Sequence, residues 1–272
     1  MKKQFLLFLR TLNARAYVRI FGQMREATWV VASVLGGFFT MATYIYLYRT
    51  LGTGSEFSGL VVLGGFMTPF FLNVLWGVAT QLYWEKEMGN LELMLVSPAP
   101  LAAFLVGLSV GGAMHTMLRS LAVLFFGIAV FKVEFTVLHL PLALLVFLVT
   151  LFSMYGLGIV FSSLFLYHGR DAWRTADLVM EPTNVLSGSY FPARFLGVGL
   201  LGIAALIPTT LGLDALRQLL VSSFTAKVLD WRWELLILIG LGLVFALIAS
   251  WALRSVEYKA RRDARLTLRW QC

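Results

Sequence analysis

Tyr83-Trp84-Glu85-Lys86-Glu87-Met88-Gly89-Asn90-Leu91-Glu92-Leu93-Met94-Leu95-Val96-Ser97-Pro98 lies between two long uncharged runs and holds three of the chain's 14 acidic residues. A loop that only joined two membrane helices would need polar residues but no pattern. Here Glu85, Met88 and Glu92 fall at helical spacing, Met88, Leu91 and Leu95 form an apolar ridge, and Ser97-Pro98 ends the turn. Helices that lie on lipid are usually basic, because the headgroups attract cations. An apolar ridge with an acidic rim points instead to a surface that docks into another protein.

The flanking sequence fits a membrane. Of 272 residues 59% are hydrophobic and 13% charged, with a mean hydropathy of +0.82; soluble domains carry roughly 25% charged residues. The apolar runs have helix length and no ten-residue alternation, which argues against a β-barrel. The net charge of +8 comes from basic residues gathered at the chain ends beside the runs, so it does not point to nucleic acid. The single cysteine, Cys272, excludes an intrachain disulfide and a multi-thiol metal site. The apolar run at 5–9 is too short for a signal peptide, and no small-residue cleavage site follows.

In chain order, 5–26 reads as an interfacial helix with Arg15, Arg19, Gly22 and Glu26 on one face. Spans are expected at 28–48, with tyrosines at one end, and at 59–82, where Pro69, Asn73, Gly77 and Thr80 share a stripe and Pro69 predicts a kink. A third covers 101–131, with Ser109, Gly112, His115 and Arg119 along one side, and a fourth covers 135–167. From 170 to 190, Arg170, Arg174, Asp177, Glu181, Asn184 and Gly188 recur on one helix face. Such a stripe faces a bundle, a subunit interface or a water-filled path if the segment spans, and solvent if it does not. The uncharged run 195–213 is cut by Pro208 into pieces of ~18 Å, half a bilayer each. The last span is 235–253.

Six basic residues precede the first span (Lys2, Lys3, Arg10, Arg15, Arg19, Arg25) and six follow the last (Arg254, Lys259, Arg261, Arg262, Arg265, Arg269). Both ends are therefore expected in the cytoplasm, which requires an even number of crossings. Six crossings result if 170–190 spans and 195–220 re-enters from outside. The other six, with 195–213 spanning, would bury Pro208 deep in a helix. The fold expected is all-α and integral to the membrane, a single domain over 1–272: an interfacial helix (1–27), a six-span bundle (28–253) and a basic tail (254–272).

Catalytic chemistry is not in view. No phosphate-cradling glycine loop, serine or cysteine nucleophile pattern or paired aspartates appear, and His115, His139 and His168 stand far apart. Leu186-Ser187-Gly188-Ser189-Tyr190 looks superficially like an ATPase signature but falls at the outer end of an expected span. Arg119 is the one strong charge inside a clear span. Pairing with Asp177 or Glu181 requires tilt or offset, since the depths differ by ~10 Å; the blander expectation is snorkelling to the outer headgroups.

Glu85-Lys86-Glu87-Met88-Gly89-Asn90-Leu91-Glu92-Leu93-Met94-Leu95-Val96-Ser97-Pro98 resembles the E-x-E-x-G-x-L-E-x-L-x-x-S-P segment of ABC-2 type transporter permeases. Leu186 to Pro192, Ile207-Pro208-Thr209-Thr210 and Asp214-Ala215-Leu216-Arg217 resemble that family's S-G-x-x-F-P, P-x-T and D-x-x-R elements, in the same order. The resemblance implies a permease subunit of an ABC exporter in a prokaryotic cytoplasmic membrane, itself not an enzyme. It would pair with a second copy or a close homologue, surrounded by membrane lipid. Two separate ATP-binding subunits would carry the ATP and Mg, and this chain no cofactor or metal. It makes the stretch at 85–95 a coupling helix, with Glu85, Lys86, Glu87, Met88, Gly89, Leu91, Glu92 and Leu95 docking the ATPase, the Leu91–Leu95 ridge for affinity and the Glu85–Glu92 rim for partner choice. Asn73, Arg119, Asp177, Glu181 and Asn184 would line the path or dimer interface, and Gly188, Tyr190, Pro192 and Pro208 the outer re-entrant turn. The substrate expected is hydrophobic or amphipathic: a drug-like molecule, a lipid or a lipid-linked glycan. The competing expectation is a secondary transporter with an ion site near Asp177 and Glu181.

Overall fold

Pro69 and Asn73 mark where the central rod of the bundle changes its winding. In a computed structural model describing residues 2–24, 27–53, 56–168, 172–222 and 224–263, helix α3 (Glu56–Leu72) passes directly into a π-helical turn at Asn73–Ala79 and then α4 (Gln81–Glu87). Proline supplies no amide hydrogen to the helix ladder, and a wide turn next to it accommodates the disruption. At the kink expected at Pro69 the structure shows a change of helix type four residues on. The sequence readings on Arg25, Glu26, Arg170, Arg265, Arg269 and Cys272 lie outside the described residues.

Helix α1 (Lys2–Met24) lies along the start of α6 (Leu101–Phe131). The two backbones approach where Gly107 and Gly111 leave room: a Cβ on Gly111 would stand 2.7 Å from the Ala16 carbonyl oxygen. Helix α2 (Ala27–Thr50) continues along α6, with Gly37 against Val123 and Met41 against Gly127. After α4 the chain turns at Gly89, whose φ of +76° suits a residue without a Cβ, into α5 (Asn90–Val96). The single helix expected over 85–95 is therefore two helices of seven residues each.

Helix α7 (Leu140–His168) and α11 (Trp231–Asp263) run side by side. The Ser153 hydroxyl donates to the Leu238 carbonyl at 2.7 Å, and Gly242 packs on Phe152 and Ser153. Between them in sequence come α8 (Ala172–Leu186), α9 (Gly197–Ala204) and α10 (Pro208–Leu220), with Pro208 as the first residue of α10. Pro needs no amide partner there. Gly212 of α10 rests on Thr150, about ten residues (~15 Å) into α7, while Leu220 accepts a hydrogen bond from the Thr136 amide at 2.8 Å. The α9–α10 hairpin dips into the bundle and returns to the side of the link at 132–136.

Among the described residues five helical segments are long and apolar enough to cross a membrane: Thr28–Thr50, Phe57–Glu87, Leu101–Phe131, Val137–Leu166 and Trp231–Ala260. The chain is an integral membrane protein of helices. Helix α8, with 15 residues and Pro182 inside it, falls short by that measure. It nonetheless packs Ala176 against Tyr83 and Phe165 at one end and leads at the other into a turn touching the middle of α3 at Gly64. A Cβ on Gly64 would overlap the Ser189 carbonyl itself. Backbone meets backbone there, so no rotamer relieves a substitution. Gly64→Ala is expected to lose at least about 1–3 kcal/mol, read as a lower thermal midpoint of the purified chain in detergent.

Candidate functional site

The exposed stretch that opens the sequence argument presents a different face from the one expected. Leu91 is 1% exposed and joins the main core with Met94, and Leu95 packs against that core. Leu93 at 72%, Val96 at 86%, Met88 and Trp84 stand open instead, with Glu92 among them. The Leu91–Leu95 ridge thus fastens the segment to the bundle, and the accessible apolar surface is Trp84, Met88, Leu93 and Val96.

The acidic rim divides in the same way. Glu85 is 3% exposed and turns toward α1. Its Oε1 accepts from Gln81 Nε2 at 3.0 Å and pairs with Arg15 Nη1 at 3.5 Å, while Oε2 is buried without a partner. Burial lowers Arg19, one turn further along α1, from its ordinary value; Tyr155 and then Glu85 oppose the shift. Glu85 is thus the counter-charge of α1. Lys86 is also buried, Glu87 and Gly89 are half-buried, and only Met88 and Glu92 of the expected docking residues are fully exposed. Sequence reasoning missed Arg15 as the partner, although its helical spacing with Arg19 was visible.

The residues expected to share a path do not come together. Asn73 is a packed core residue: its Oδ1 accepts from the Tyr155 hydroxyl at 2.9 Å, and it is flanked by Gly77 and Gly112, where any Cβ would collide with it. Arg119 pairs with neither Asp177 nor Glu181. Its Nη1 donates to Ser33 at 3.4 Å and its Nη2 to Thr116 at 3.4 Å. Thr116 lies one turn back toward the α5 end of α6, so the guanidinium points along α6 toward that end. Asp177 and Glu181 occupy the exposed face of α8 with Asn184 half-buried beside them. No group of three or more side chains fit to hold a metal occurs among the described residues.

The turn at 187–192 is pinned from several helices. Gly188 has a φ of +62°, and a Cβ there would crowd the Phe191 carbonyl and Ala193. The Tyr48 hydroxyl of α2 donates to the Tyr190 carbonyl at 3.0 Å, and the Tyr44 and Tyr190 rings stack at 4.4 Å. Pro192 is buried at the end of the turn, Pro208 at the hairpin break. Arg217, 0% exposed, donates to the carbonyls of Ser189 at 2.8 Å, Leu60 at 3.2 Å and Phe191 at 3.3 Å. Asp214, one turn earlier, accepts from Gln218 at 2.9 Å and from the Val228 amide at 3.0 Å, and Gln218 also reaches Glu234 at 3.0 Å. One half of the D-x-x-R element therefore holds the outer turn, and the other half holds the loop into α11.

A family model described as ABC-2 type transporter matches residues 7–221, from α1 through the end of α10. The chain belongs to that family. Comparison with curated proteins finds no match. Membership in the ABC-2 family makes the chain the membrane domain of an ABC transporter and implies an ATP-binding partner subunit. It covers both the α4–α5 segment and the pinned outer turn.

Proposed function

We propose that the chain is the permease subunit of an ATP-driven exporter in a prokaryotic cytoplasmic membrane, driven by two separate ATP-binding subunits that dock on α4 and α5. The observation that carries this is the exposure of Trp84 and Met88 on α4 and of Leu93 and Val96 on α5, while Leu91 and Met94 between them are buried in the core. An apolar patch of this kind, rimmed by Glu92, is suited to fill a cleft in a partner. ATP and Mg belong to that partner, and this chain contributes no catalytic group. The cargo in this reading is a hydrophobic or amphipathic molecule.

In this reading α8 is the sixth crossing, which keeps both termini in the cytoplasm. Its exposed Asp177 and Glu181 are too costly to leave against lipid, so this face meets a second copy of the chain or the water-filled path between the two. Closure of the ATP-binding subunits pushes on α4 and α5. The push passes along the continuous rod through the π turn into α3, and through Glu85 and Arg15 into α1. Such a movement reorients packed helices between two discrete arrangements.

Leu93→Asp and Val96→Asp test the docking. Each removes an apolar side chain worth about 1.5–3 kcal/mol when buried and is expected to weaken association with the ATP-binding subunit at least tenfold, with membrane insertion intact. Co-purification of both variants with that subunit at the wild-type ratio would remove the assignment.

A further inference from the structure

A cleft of about 240 Å³ opens between α2, α3 and α6. Arg119 stands in its wall with the hydroxyl-bearing Ser33, Thr40, Thr68 and Tyr190. The guanidinium has five donors. Its two contacts, both 3.4 Å, are long, and its Nε is buried with no partner. Among the described residues it forms no ion pair. A cation at membrane depth without a carboxylate is costly unless something else supplies the negative charge. The cleft has space for that group. A water occupies roughly 30 Å³ of liquid, so the volume exceeds what a few waters need. It opens past Gly36, which is exposed and where a Cβ would meet nothing within 4 Å.

We propose that this cleft binds the anionic headgroup of an amphiphile, a phosphate monoester on an apolar tail, with Arg119 as its principal charge partner. Arginine matches phosphate through paired donors; the hydroxyls of Ser33, Thr40 and Thr68 already donate to the carbonyls of Val30, Gly36 and Gly64, so the guanidinium carries the recognition. The tail leaves past Gly36 toward lipid. This deepens the permease reading and rests on it for the identification of the ligand as cargo; the binding itself does not depend on transport.

The test uses the purified full-length chain in neutral detergent, with bound ligand counted by native mass spectrometry. Dioctanoyl phosphatidic acid supplies head and tail, dioctanoylglycerol the tail alone and inorganic phosphate the head alone. Phosphatidic acid is expected to bind at least tenfold more tightly than either. Arg119→Gln is expected to abolish that advantage and leave dioctanoylglycerol binding unchanged. Gly36→Leu closes the mouth with Arg119 in place, and is expected to reduce phosphatidic acid binding in a chain that elutes as wild type. Equal binding of phosphatidic acid and dioctanoylglycerol, or an undiminished advantage in Arg119→Gln, overturns the site. Inorganic phosphate binding as tightly as phosphatidic acid overturns the amphiphile. Because the readout needs neither ATP nor the partner subunit, loss of docking in Leu93→Asp with headgroup binding retained separates failure of one reading from failure of the other.

Discussion

Arg217→Met is expected to abolish the folded outer end of the bundle. The guanidinium is wholly buried and donates to three main-chain carbonyls, one on α3 and two in the turn after α8. Hydrogen bonds to a charged group contribute about 1.5–3 kcal/mol each, and methionine fills the volume but donates nothing. The loss is then roughly 4 kcal/mol or more, against a total stability on the order of 5–15 kcal/mol for a typical domain. The chain should accumulate poorly and elute as aggregate, or show a thermal midpoint lower by about 10 °C or more. Arg217→Lys keeps the charge and loses the fork, so it should fall between the two. A wild-type midpoint for Arg217→Met would mean that Tyr48 and the Gly64 contact hold the turn unaided.

Glu85→Arg is expected to act at the opposite end and to leave the bundle folded. It replaces the buried partner of Arg15 with a third cation beside Arg15 and Arg19. The pair is buried on the Glu85 side and partly exposed on the Arg15 side, so its loss costs less than the ~3–5 kcal/mol of a fully buried pair. Here the surviving charges lie on α1, which packs chiefly on α6 through glycine contacts. Local opening of α1 should rise by about one order of magnitude. Trypsin should cleave at Arg10, Arg15 or Arg19 far faster in the variant, with the rest of the chain protected. Glu85→Gln keeps the Gln81 contact and should show a smaller increase. Unchanged cleavage would mean that the glycine contacts alone hold α1.

Periodicity located the long spans because lipid demands an apolar run of fixed length, which composition alone reveals. It separated Asp177 and Glu181, which are exposed, from Ala176, which is buried, but Leu178 and Val185 of the expected apolar face are exposed as well, and Gly188 of the polar stripe is buried. It failed at α4 and α5 for a definable reason. Assigning Glu85, Met88 and Glu92 to one face assumed a single helix, and the left-handed turn at Gly89 changes the register between them. Spacing also says which residues share a face without saying which face is inward, so Leu91 and Leu93 could not be told apart. Arg217 was legible only as part of a family-like motif, because its acceptors come from elements far away in sequence. The Ser33 partner of Arg119, 86 residues away on α2, left no trace in either helix's own pattern.

The contact of Gly64 with Ser189 has a mechanical meaning. No side chain lies between α3 and the turn after α8 at this point, so the two cannot slide by changing rotamers. Tyr48 adds α2 to the same joint, and Arg217 adds α10. Four elements therefore meet in one joint. In the permease reading proposed above, a displacement applied at Trp84, Leu93 or Val96 would tilt the α3–α4 rod about this joint, with the movement greatest at α4 and least at the turn after α8. A change of access would then require the joint to travel as one block or to break its carbonyl bonds together, which would give the transition an all-or-none character.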